Sequence, residues 1–294
     1  MSSTYAKTAP AAAPRPESTT RRRPRTLRRT VGTSAFYAGL TLIAVLFLAP
    51  LVWSAWRSVT GEGAAGFSLD NYFRLFNFGE GLPTYAGNSL LVTGLTVLGT
   101  LVASTLAGYG FARFSFPGKN LIFFIILAIL MVPHPTILIP LFKLLSFIGL
   151  QNSLLGLSLV MIMFQLPFSV FMMTNAFENL PRELEESAFI DGCSRFQALI
   201  RVQLPLTVPG MVTVGIFAFL ASWNEFMAPL ILLNDGSTFT LPVALVNLRS
   251  GDFGTIDIGA LQAGVVMTAL PCLVVFLLLQ KFYIRGFTSG AVKG

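Results

Sequence analysis

Histidine and cysteine are almost missing from this sequence: His134 is the one histidine, and Cys193 and Cys272 are the two cysteines, among 294 residues. That shortage excludes whole classes of chemistry. No Cys-x-x-Cys pair or Cys/His cluster offers the spacing of a metal site. A disulfide does not suit one thiol in a polar loop and another in an apolar run. An enzyme working at membrane depth would need a nucleophile–base pair or metal ligands, and His134 has no such partner near it in sequence. The phosphate-cradling pattern GxxxxGK[ST] is missing too, since Gly118-Lys119 lacks both the upstream glycine and the following Ser/Thr. The chain is therefore expected to be no enzyme and to bind no cofactor or metal itself. Charge is the remaining deficit: 11% of residues are charged, where a soluble domain carries about a quarter.

Apolar residues take that place. They make up 54% of the chain, and the mean hydropathy is +0.72. Runs of the roughly 20 residues that cross a bilayer can be placed at 34–56, 88–112, 120–142, 153–176, 209–232 and 260–284. The expected fold is all-α and integral to a membrane, with six transmembrane helices. Six being even, both termini share one side. If that side is the cytoplasm, its segments hold every basic residue except Arg57, Arg74, Lys143 and Arg249, which is the charge asymmetry of the positive-inside rule. The same asymmetry explains the +7 net charge without nucleic acid as a partner. Residues 1–33 read as a disordered basic tail against anionic headgroups, residues 34–284 as the six-span membrane domain, and residues 285–294 as a second cytoplasmic tail. The first apolar run is too long for a signal peptide and no Ala-x-Ala site follows it.

Within the spans, the informative residues are few. Pro133, Pro135 and Pro140 remove backbone hydrogen bonds in the third run, so that helix is expected to bend or break. His134 beside them is expected to make a structural hydrogen bond. Gly94, Gly99, Ser104, Gly108 and Gly110 let the second span approach its neighbours closely. Glu225 is the one carboxylate placed inside a span, where an acidic group costs about 2.5–3.5 kcal/mol on insertion scales. It must face protein or water. With Trp223 and Asn224 it lines a pathway or holds a structural polar network; the sequence leaves both readings open. An ion-coupled secondary transporter, which would need several such carboxylates, is poorly served by one.

The polar loop 177–208 between spans four and five has a definite internal order. Pro181 suits a first helical turn, and Glu183, Glu185 and Glu186 sit where the dipole favours acid. A short helix is expected to run to Ile190 and to end at Gly192 in a left-handed conformation. Ser194 and Gln197 form a capping box for a second helix, with Phe196, Leu199, Ile200 and Leu204 on one stripe. Pro205 and Pro209 are expected to close the unit before span five. The result is a capped helical pair, placed in the cytoplasm by the charge argument, and suited to docking a soluble partner.

Glu186-Ser187-Ala188, then Asp191-Gly192-Cys193, then Leu204-Pro205 and Pro209 resemble the EAA loop of ABC-importer permeases. That family shows E-A-A, then D-G-A, then L-P-x-x-x-P; Ser187 and Cys193 replace alanines here with other small residues. AGYGFARFSFPGK (107–119), ASWNEFMAPLIL (221–232) and QKFYIRGFTSGAVKG (280–294) resemble the sugar-importer branch, and within it the maltose-system permeases with a short N-terminal region and a GAVKG tail. The basic tail departs from that pattern. The resemblance implies half of a translocation pathway, completed by a second homologous permease subunit. It further implies an ABC ATPase dimer that holds the ATP and Mg, an extracytoplasmic solute-binding protein, and a sugar substrate, with a polyol or glycerol phosphate as the alternative. It implies a bacterial inner-membrane location. Leu184, Glu186, Ser187, Ala188, Phe189, Asp191 and Gly192 become the ATPase-coupling residues. Glu186 and Asp191 would offer charge, while Ala188 and Gly192 would permit close approach. Gly290, Ala291, Val292, Lys293 and Gly294 become a second contact with the ATPase.

Overall fold

A computed structural model describes residues 27–60, 66–250 and 257–291, with side chains over 36–60, 66–250 and 257–280. The chain divides into two units at Pro50. The first unit contributes the N-terminal part of α1 (Leu27–Ser58), which is apolar from Phe36 onward and exposes its large side chains. The expected tail at 1–33 lies mostly outside the described residues. The second unit holds the rest of the chain.

That unit is helical. Among the described residues there is no strand, only an isolated bridge between Thr60 and Phe67. After the short α2 (Asp70–Phe76) comes α3 (Leu82–Arg113), which packs along α6 (Leu154–Glu178) and α9 (Leu204–Trp223). The closeness of α3 and α6 is set by glycine. A Cβ at Gly108 would stand 2.6 Å from the Met173 Cβ and 2.9 Å from the Thr174 nitrogen, so only hydrogen fits between these two backbones. Ser104 and Thr100 continue the same buried small-residue stripe. Gly94 and Gly110, by contrast, face open space.

The third apolar run is broken, as its prolines require. α4 (Lys119–Ala128) passes through a 3₁₀ turn (Ile129–Met131) and stops. α5 (His134–Phe147) then leaves at 104°. Val132 is extended, at φ −83° and ψ 123°, because the proline that follows clashes with a helical conformation there. His134 makes no hydrogen bond through its ring among the described residues; it stacks flat on Phe164 at 4.3 Å between centroids and 2° between planes. The expected hydrogen bond is replaced by a ring contact. α5 closes a core with α6 and α10 (Met227–Leu232) through Leu138, Leu141, Leu157, Phe164 and Leu232.

Span five differs from its expected limits. The capped turn α8 (Arg195–Ala198) runs through a π turn (Leu199–Gln203) directly into α9, so Pro205 and Pro209 lie inside a continuous helix rather than ending a loop. In the π turn the Leu204 N–H reaches back to the Leu199 carbonyl. The wider ring meets Pro205 at the point where its missing N–H would otherwise interrupt the ladder. The same helix ends early, at Trp223, and 227–232 form the separate α10. Glu225 therefore sits in the break between helices, not at mid-span.

Two further elements fill the region between α10 and α12 (Ile258–Ala291). A 3₁₀ turn (Gly236–Thr238) is followed by α11 (Leu241–Ser250), which the hydropathy reading does not anticipate. Asn152 accepts hydrogen bonds on its Oδ1 from the Asn234 N–H (2.8 Å), the Asp235 N–H (3.2 Å) and the Thr238 hydroxyl (3.0 Å). The Asp235 carboxylate in turn accepts from the Ser237 N–H and hydroxyl, which holds it below the usual carboxylate range. Among the described residues five helices are long and apolar enough to cross a membrane, and six segments are if the bent pair α4–α5 counts as one.

Candidate functional site

The polar loop folds into α7 (Glu183–Ile190), a left-handed corner and the capped helix α8. Three acidic residues fill the first turn of α7, where the unpaired N–H groups carry partial positive charge. At its end the Gly192 N–H bonds to the Phe189 carbonyl (3.0 Å) and the Cys193 N–H to the Ala188 carbonyl (2.9 Å). These are the two bonds of a Schellman cap, and they require Gly192 at φ +82°. Ser194 then accepts the Gln197 N–H while the Gln197 side chain accepts the Ser194 N–H, which is the capping box read from the sequence. Two helix ends are thus satisfied within three residues, and the corner is stiff.

The loop sorts its residues by face. Ala188 is buried, whereas Leu184, Phe189 and Phe196 are exposed and Ile190 is 87% exposed. Glu186 and Asp191 are exposed beside them, and the Ser187 hydroxyl is spent on the Glu183 carbonyl at 2.7 Å. The seven residues expected to dock a partner are therefore brought together on one short helix and its corner. An apolar crest is flanked by carboxylates, and Ala188 alone is turned inward. Among the described residues nothing stands within 4 Å of a Cβ built at Gly192, so a substitution there meets strain and no clash. Gly192→Val is expected to cost about 1–2 kcal/mol, the penalty of a left-handed L-residue, and to lower the thermal midpoint of the purified protein. Gly118→Val, also at positive φ and with nothing among the described residues within 4 Å of its Cβ, is expected to lower the midpoint by a similar amount.

Sequence reasoning missed what holds the loop. Arg113, at the last turn of α3, has a side chain only 5% exposed. It pairs through Nε with the Glu185 carboxylate at 3.3 Å. The same guanidinium donates to the Gln203 Oε1 (3.2 Å) and to the Leu180 carbonyl (3.1 Å), and the Tyr109 hydroxyl donates to Glu185 at 2.9 Å. One buried cation thus joins α3, the start of the loop, α7 and the π turn. Tyr109, Phe177, Leu199 and Val214 pack as the apolar floor beneath it. Arg195 lies over the Phe114 ring at 5.2 Å, and a cleft of about 160 Å³ opens between Arg113, Arg182, Glu186, Phe189 and Arg195. The signal available in the sequence was an arginine at the end of an apolar run, with no indication of its partner.

The residues expected near a pathway are not brought to one surface. Trp223 is buried, donates through Nε1 to the Thr268 carbonyl (2.9 Å) and stacks on Phe219. It fastens α9 to α12. Glu225 accepts the Ala228 N–H at 3.0 Å and so caps α10. Asn224 is exposed and folds back on the Leu220 carbonyl. It lines a cavity of about 780 Å³ with Leu220, Leu245, Thr268 and Cys272. Gly290 and Ala291 end α12, while Val292, Lys293 and Gly294 lie outside the described residues. Among the described residues no three His, Cys, Asp or Glu side chains group as metal ligands.

A bundle of apolar helices carrying a stiff, apolar-crested loop defines a multi-pass membrane protein of the permease class. Residues 96–285 match the family described as the binding-protein-dependent transport system inner membrane component, and the chain belongs to that family. It is a transport subunit, not an enzyme. It is 40% identical over 227 residues to the arabinooligosaccharides transport system permease protein AraQ of Bacillus subtilis (strain 168), covering 77% of this chain and 79% of that protein. It is 32% identical over 265 residues to the trehalose/maltose transport system permease protein MalG of Thermococcus litoralis, covering 87% and 95%. A chain from the crystal structure of a bacterial ABC transporter that imports the acidic polysaccharide alginate has the same fold. It has a TM-score of 0.73 at 20% identity, over 88% of this chain and 98% of that one.

Proposed function

We propose that this chain forms half of the translocation pathway of an ATP-driven sugar importer in a bacterial inner membrane, with both termini in the cytoplasm. A homologous permease subunit supplies the other half. An extracytoplasmic solute-binding protein delivers the sugar, and an ABC ATPase dimer binds ATP and Mg. The observation that carries this reading is the α7 corner, an exposed apolar crest (Leu184, Phe189, Ile190) between carboxylates, stiffened by two caps and tied to α3 by Arg113. A helix so held can seat in a groove of the ATPase and move as one piece with the membrane helices. Names of the relatives favour oligosaccharides as the substrate class.

Within this frame α9 is the direct output of the loop, because α8, the π turn and α9 form one uninterrupted helix. Closure of the ATPase pair displaces α7, and the displacement reaches the membrane through α9 and, by way of Arg113, α3. The residues 290–294 are a second contact with the ATPase. The test is reconstitution with the neighbouring subunits in liposomes loaded with ATP, with uptake of labelled maltose, arabino-oligosaccharide and glycerol phosphate compared. Oligosaccharide uptake that needs both ATP and the binding protein is the expected result. Uptake that persists without an ATPase overturns it, and preference for glycerol phosphate overturns the sugar class alone.

A further inference from the structure

Residues 69–77, which contain α2, carry three parallel stripes, each with its own surroundings. Asn71 and Leu75 (i, i+4) face the protein and are buried. Leu69, Phe73 and Phe76 (i, i+4, i+7) are exposed, Phe73 to 65%, with Phe67 just ahead of them at 76%. Asp70, Arg74 and Asn77 make the polar edge between these faces. Helical spacing of this kind separates a protein-facing side, an apolar side and a watery side.

Its height is fixed by two spans. The Asn71 side-chain amide donates to the carbonyls of Ser58 (2.9 Å), Arg57 (3.2 Å) and Thr60 (3.2 Å) at and just beyond the end of α1, where helix carbonyls lack intrahelical partners. On the other side Arg74 pairs with Asp257 at 3.0 Å, and Asp257 caps the first turn of α12 through the Ala260 N–H at 2.8 Å. Asn71 also lies directly against Gly259, leaving no room for a Cβ. Trp53 and Trp56 are exposed in the last turns of α1, and exposed tryptophan near the end of an apolar span marks the membrane–water boundary.

We infer that α2 lies in the bilayer interface, with Phe73, Phe76 and Leu69 in the headgroup–acyl boundary beside Trp56, and that phospholipid is what covers this face. The polar edge then stands in water, where Asp70 is exposed. An interfacial helix with an apolar side toward the acyl chains and a charged side toward solvent fits this pattern. Tyr72 and Asn71 bond to Ser58 at the end of α1 (3.0 and 2.9 Å), where Val52, Trp53 and Trp56 are also exposed, and this attachment to the end of an apolar span favours lipid over a protein partner.

Site-directed spin labelling tests it. The full-length chain, purified with its partner subunits and with Cys193→Ser and Cys272→Ser in place, is labelled at Phe73→Cys, Phe76→Cys or Asn77→Cys in nanodiscs of phosphatidylethanolamine and phosphatidylglycerol. The ratio of oxygen to nickel-chelate accessibility is expected to be several-fold higher at 73 and 76 than at 77, without any binding protein added. Equal, nickel-accessible labels at all three positions place the helix in water. Immobile labels at 73 and 76 with low access to both reagents place it under a protein. Either outcome overturns the inference, and two independent apolar positions guard against one poorly folded variant.

Discussion

Gly108→Leu is expected to abolish stable accumulation of the protein in the membrane. A Cβ at this position already meets the Met173 Cβ at 2.6 Å, the Met173 carbonyl carbon at 2.8 Å and the Thr174 nitrogen at 2.9 Å. Two of those atoms are backbone of α6, so no rotamer change relieves them. The helices must separate, and α3 against α6 is the main seam of the bundle. Extra methylenes in a packed site cost about 1–3 kcal/mol when neighbours can adjust. Here they cannot, so the loss is expected to exceed that range and to rival the total stability of about 5–15 kcal/mol typical of a domain. The comparison that isolates the cause is Gly110→Leu, two residues along the same helix and facing open space. It is expected to accumulate normally. Immunoblots of the membrane fraction and the thermal midpoint of whatever can be purified read both variants, and equal behaviour of the two would sink the close-packing account.

Arg113→Ala has the second largest expected effect. It strips the half-buried Glu185 carboxylate of its ion pair and leaves the Leu180 carbonyl and the Gln203 side-chain oxygen without their donor. Removing one partner of a buried pair costs about 3–5 kcal/mol, because the other charge remains desolvated. The Tyr109 hydroxyl still donates to Glu185, which places the expected loss toward the lower end. The double substitution Arg113→Met with Glu185→Leu removes both charges and is expected to recover most of the stability, since replacing a buried pair with apolar groups is often neutral. Transport is expected to separate the two properties. The apolar double variant folds yet lacks the tie between α7 and α3, so its ATP hydrolysis is expected to be less tightly coupled to uptake in the reconstituted system. If the double variant is as unstable as Arg113→Ala, the ion pair is not what the arginine supplies.

Much of the loop was legible in the sequence because its signals are local. Gly192, Ser194 and Gln197 lie within six residues, and each acts on backbone groups a few positions away. The turn geometry they imply is the turn geometry observed. The break at Val132-Pro133 was legible for the same reason. The Arg113 tie was not, because it joins residues far apart in sequence, and no spacing rule connects the end of one span to the first turn of a distant helix. Span five was misjudged in both directions. Its start was hidden because prolines usually stop helices and a π turn let them stay. Its end was hidden because a hydropathy window averages over Asn224 and Glu225 and sees only the apolar residues on both sides. What Glu225 does there, capping α10, is again a local act that the pair Asn-Glu before a short apolar run could have suggested.

The bent pair has a consequence in length. α4 and its 3₁₀ turn comprise the 13 residues Lys119–Met131, which at about 1.5 Å per residue reach only about 20 Å. The hydrocarbon layer is about 30 Å deep. Beside this helix the membrane therefore meets a partition that stops about a third short of the far surface, and α5 turns away instead of completing it. Ile139 and Phe147 of α5 are exposed apolar side chains. Lipid next to the pair must shorten or tilt its chains to match, so the bilayer is expected to be thinnest at the Met131–Pro133 corner, a dimple in the membrane written by two prolines.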